Sequence, residues 1–173
     1  MSEHVLLTLL GIASVAATFA GFSGVVAVFG GRALRDWGPI ERTRMTNLLI
    51  MSLSVCFYSF VPIALDLLGV SDGTIWVCSS VGLTFFSGSY FVFSFLNTQE
   101  LLHNRKSMVS LWVRIAFMVL LPAITVLQIW NALGFGFKPG PGPLATGLLL
   151  ILALAGIQFA YLVLIPVRKR HGD

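Results

Sequence analysis

Charge is what this sequence has least of: Asp, Glu, Lys and Arg together make up 10% of its 173 residues, against roughly 25% in an ordinary soluble domain. So few charges cannot coat a water-facing globule of this size. Cysteine is scarce too, at two residues, and the apolar share is 57%. A disulfide scaffold, a disordered chain and a collagenous chain are all excluded. The histidines, His4, His103 and His171, share no i, i+3 or i+4 helical spacing. With no HExxH, paired CxxC or carboxylate cluster, neither a zinc site nor a metalloprotease is supported. Bis-histidine haem ligation fails for want of an intramembrane histidine. Tyr58, Tyr90 and the serines have no GxSxG elbow or paired base beside them. The sequence therefore assigns no catalytic residue, metal or cofactor, and the chain reads as a non-enzyme.

Long apolar runs are what it does have. A helix crossing the roughly 30 Å hydrocarbon layer needs about 20 mostly apolar residues. Five segments qualify, at about 5–29, 45–69, 74–97, 111–133 and 144–167. The connections are too short for a soluble domain and make sequential helices antiparallel. The fold expected is an all-α integral membrane bundle of five transmembrane helices, a single domain over 1–173. The leader Met1-Ser2-Glu3-His4 lacks a positive n-region, so the first segment reads as a retained helix rather than a cleaved signal.

Basic residues set the orientation. Arg32, Arg35, Arg42 and Arg44 fall in the first connection, Arg105, Lys106 and Arg114 in or beside the third, and Arg168, Lys169 and Arg170 in the tail. With five crossings these share one side, and Lys138 stands alone on the other. The N-terminus is expected outside and the C-terminus in the cytoplasm, in a plasma or bacterial inner membrane. Trp37 and Trp112 then fall at the inner boundary and Trp76 and Trp130 at the outer one, as interfacial indoles prefer. Despite a pI near 9.5, no aromatic-interleaved basic face supports nucleic-acid binding. Arg114, Arg168, Lys169 and Arg170 read as anchors to anionic lipid headgroups at the cytoplasmic face.

Helices associate in lipid through close packing and interhelical hydrogen bonds. The first segment carries two small-residue rows, Ala13, Ala17, Gly21 and Ala16, Ala20, Gly24, and the fifth carries Gly156 and Ala160. The first helix is accordingly expected inside the bundle or at a subunit seam, and the chain to form a homo-oligomer. In the third segment Ser80, Thr84, Ser87, Ser94 and Thr98 make one stripe at helical spacing. The second has Ser52, Ser59 and Asp66 at seven-residue steps. If the two faces meet, they form a hydrophilic seam; otherwise the hydroxyls bond their own i−4 carbonyls.

Gln128 and Gln158 are costlier, since an amide left unpaired in hydrocarbon costs several kcal/mol, on the order of a lost hydrogen bond or more. Gln158 is expected to bond the third-segment hydroxyls. Asp66, about one turn from the outer end, is either an interfacial carboxylate or a cation attractor at an outer mouth. Pro62 and Pro122 are expected to bend their helices. Glycines alternating with Pro139, Pro141 and Pro143 mark an exterior turn. These features point to a homo-oligomeric channel or facilitator for an ion or small solute. The alternative is a non-catalytic assembly, scaffold or regulatory subunit working with a membrane-protein partner.

Overall fold

The structure, a computed structural model, describes residues 1–29, 38–102, 108–136 and 138–164. Arg32, Arg35, Trp37, His103, Arg105, Lys106, Arg168, Lys169, Arg170 and His171 lie outside these residues, as do the side chains of Thr98 and Trp112. The regular structure described is entirely helical: α1 (Glu3–Phe29), α2 (Pro39–Leu67), α3 (Asp72–Leu102), α4 (Met108–Leu133) and α5 (Pro141–Leu164). All five are long and apolar enough to cross a membrane, with spans Glu3–Val26, Glu41–Leu67, Asp72–Leu96, Val113–Leu133 and Pro141–Val163. A helix satisfies its own backbone, which is why apolar runs of this length take that form in hydrocarbon.

The helices outrun the apolar segments, most of all at the end that carries Arg44. α2 opens at Pro39, whose missing N–H costs nothing at a first helical position. The Gly38 N–H donates to the Glu41 carboxylate at 2.9 Å, closing that end. Arg42 and Arg44, expected in a connection, therefore stand on the opening turns of α2. Likewise α3 continues to Leu102 and α4 begins at Met108. Hydropathy marks where a helix meets lipid, whereas hydrogen bonding carries it on until a cap or breaker intervenes.

At the opposite end, which carries Met1 and Asp66, two glycines stop helices. Gly69 has φ 75° and Gly134 φ 67°. After α2, the Val70 N–H donates to Leu65 O at 3.1 Å and the Gly69 N–H to Asp66 O at 3.0 Å. After α4, the Phe135 N–H donates to Trp130 O at 3.4 Å and the Gly134 N–H to Asn131 O at 3.3 Å. Both are Schellman turns, in which a left-handed residue lets the chain reverse while the last carbonyls stay bonded.

α5, not α1, is the central helix. It packs against α1, α2, α3 and α4, while the principal neighbours of α1 are α2 and α5. Leu144, Leu148, Ile151, Leu154 and Ala155 of α5 are fully buried. Glycines let neighbours close in: the Phe19 ring of α1 would stand 3.6 Å from a Cβ on Gly156, and Leu83 and Gln128 meet over Gly147. On α1, Ala13 and Ala16 are buried and Ala20 half-buried, but Ala17, Gly21 and Gly24 face outward. Apart from the chain immediately around them, no atom of the described residues lies within 4 Å of where a Cβ would sit on Gly21 or Gly24. Elsewhere the outer surface is apolar, with Phe57 and Phe60 on α2, Phe85 and Phe93 on α3, and Val119 and Val126 on α4 all exposed. Such a surface suits acyl chains and would be a liability in water.

Candidate functional site

The polar groups inside the bundle are the candidates for function, and the α3 stripe comes first. It turns toward α4. Ser87 Oγ and Thr125 Oγ1 are 2.8 Å apart. Each hydroxyl also has a carbonyl acceptor on its own helix, Thr84 O at 3.3 Å for Ser87 and Leu121 O at 2.9 Å for Thr125, so either can donate to the other. Ser80 Oγ accepts from Asn131 Nδ2 at 2.7 Å, and Thr84 donates to Ser80 O at 2.8 Å. Ser94 is half-buried further along.

The α2 stripe goes elsewhere. Ser59 donates to Val55 O at 2.8 Å, Ser52 is fully buried, and Asp66 reaches the start of α1. α2 and α3 meet through rings instead: Tyr58 packs on Phe86 with centroids 5.8 Å apart, and Phe86 on Tyr90 at 5.8 Å. The Tyr58 ring fills the space left by Gly82. The Tyr90 hydroxyl then donates to Asn47 Oδ1 on α2 at 2.5 Å.

Two amides of α4 fasten the start of α5. Asn131 Nδ2 donates to Gly140 O and Asn131 Oδ1 accepts from the Gly140 N–H, each at 3.1 Å. Gln128 Nε2 donates to Pro143 O at 2.8 Å. This fixes the amide's orientation, since its oxygen would repel the carbonyl. Gly147 supplies the room: a Cβ there would collide with Gln128 Nε2. Asn131 was not singled out in the sequence, although Thr125, Gln128 and Asn131 at three-residue steps trace one helical face. Asn47 and Tyr90, 43 residues apart, give no such local signal.

Four buried side-chain oxygens among the described residues have no hydrogen-bond partner: Ser52 Oγ, Ser79 Oγ, Gln128 Oε1 and Gln158 Oε1. Gln158 does point inward, at 2% exposure, but it does not bond the α3 hydroxyls. Ser80 and Ser87 are already engaged with α4. Of the other packing positions, Gly156 and Ala160 are half-buried, Gly156 against Phe19.

Charge gathers at the two ends. The Met1 amine lies 3.3 Å from Asp66 Oδ1 and 3.6 Å from Asp72 Oδ1. The hydrogen bond and charge of Asp66, with the charge of Asp72 behind them, raise the amine above its ordinary value of 8.0. At the other end the Arg44 guanidinium carbon stands 5.2 Å from the centre of the Tyr161 ring, and Arg114 is half-buried on α4. Among the described residues no three His, Cys, Asp or Glu side chains gather as a metal site. The buried polar groups described above are hydroxyls and primary amides, which form hydrogen bonds but do not exchange protons near neutral pH. Comparison with known protein families, curated proteins and solved structures finds no match.

Proposed function

We propose that this chain is a non-catalytic assembly, scaffold or regulatory subunit of a membrane complex, self-associating through its outer face. One observation carries the reading: Ser80 and Ser87, the best candidates for lining a path, are bonded to Asn131 and Thr125 of α4. Hydroxyls engaged in this way hold helices together and offer little to a passing ion. The outward Ala17, Gly21 and Gly24 supply a surface that another helix can approach closely. The orientation we propose places Arg42, Arg44 and Arg114 in the cytoplasmic leaflet of a plasma or bacterial inner membrane. Met1, Asp66 and Lys138 then lie outside.

The test is the mass of the purified protein in mild detergent, with flux in liposomes measured alongside. A defined multiple of 18.8 kDa, a shift toward one chain in Gly21→Leu with helix content unchanged, and no cation or solute flux are expected. A solitary chain, or flux that persists in a delipidated and reconstituted preparation, contradicts the proposal. A tag at the C-terminus should be reached only from the cytoplasmic side.

A second reading, a homo-oligomeric channel or facilitator, is favoured by the unpartnered oxygens of Gln158 and Ser52, which could take up the hydrogen bonds of a permeating solute. In that case flux is present and falls in Gln158→Leu, and Asp66→Asn weakens cation entry at low salt.

A further inference from the structure

Arg44 stands in the second turn of α2, half-buried, with its guanidinium over the Tyr161 ring of α5 at 5.2 Å. The apolar span of α2 opens at Glu41 and that of α5 closes at Val163, so the pair sits where hydrocarbon gives way to headgroups. The ring's π face attracts the guanidinium without using its N–H donors, which lie in the guanidinium plane as a rigid fork. No carboxylate of the described residues lies within ion-pair distance of Arg44. The Glu41 carboxylate accepts from the Gly38 N–H, and the Asn47 oxygen, one turn further along α2, accepts from Tyr90. A braced cation at this depth calls for an anion with two adjacent oxygens.

We propose that Arg44, held by Tyr161 at the α2–α5 seam, binds the phosphate of an anionic phospholipid. The site rests on the membrane placement given above and is independent of whether the chain assembles.

Delipidated protein in detergent micelles is titrated with dioleoylphosphatidylglycerol or dioleoylphosphatidylcholine, and bound lipid is counted by native mass spectrometry. Wild type retains the anionic lipid in preference to the zwitterionic one. Arg44→Lys keeps the charge but loses the planar fork, and lowers retention of phosphatidylglycerol about fivefold, as does Tyr161→Leu. The lysine variant is conservative enough to fold, so a structural failure of Tyr161→Leu does not decide the matter. Full retention by Arg44→Lys, or equal retention of the two lipids, overturns the site. So does inorganic phosphate if it alone protects the delipidated protein from unfolding as well as the lipid does, which would assign the seat to a free anion. None of these results bears on the mass of the assembly.

Discussion

Asn131 ties three pieces of chain with one side chain: Ser80 of α3, the backbone of Gly140, and its own helix. Asn131→Leu preserves volume but strands the Gly140 N–H and C=O, so a loss of about 2 kcal/mol is expected, read as a lower melting temperature in detergent. Gln158 should behave in the opposite sense. Its oxygen is buried and forms no bond, and Leu in its place removes a desolvation cost without leaving a partner behind. Gln158→Leu is therefore expected to melt at the same temperature as wild type or to gain up to about 1 kcal/mol. A marked destabilisation would mean that the Gln158 amide has a partner essential to the fold. The two substitutions make the same chemical change, and what separates them is whether the lost group was engaged.

Between elements, the approach of α4 to α5 depends on a missing side chain. Gly147→Ala should push Gln128 away from Pro143 O, costing about 1 kcal/mol of stability; in a Gln128→Leu background, where that hydrogen bond is already gone, the same substitution should cost little more, as a double-mutant cycle would show. The helical segments were legible in the sequence because hydrocarbon demands length and apolarity together. Their ends were less so: the apolar windows stop short of Pro39, Leu102 and Met108, and at Pro39 the Gly38–Glu41 cap rather than hydropathy sets the start. The identity of the central helix was not legible either. Small residues pointed to α1, yet it is α5 that touches all four other helices, through a leucine and isoleucine face notched by Gly147 and Gly156. In lipid, both kinds of helix are equally apolar, so composition alone does not rank them. Hydroxyl spacing on α3 located a genuine interhelical face, but the facing residues, Thr125 and Asn131, lie on α4 and not on α2.

Across the whole molecule, the Met1 amine joins the ends of three helices through Asp66 and Asp72. Because folding raises its proton affinity above the ordinary value of 8.0, its contribution is fully present below about pH 8 and fades as the pH climbs through the raised value. Thermal unfolding from pH 7 to pH 10 should show a decline at the alkaline end that Asp66→Asn flattens. The same end of the bundle holds two indoles in unlike settings. Trp76 is 6% exposed inside the core, and Trp130 is 50% exposed with its N–H on Phe135 O. In a chain carrying Trp37→Phe and Trp112→Phe, fluorescence would thus come from one shielded emitter and one open to the acyl chains. Brominated lipid should dim the second and spare the first, making the pair an internal gauge of whether the bundle stays closed.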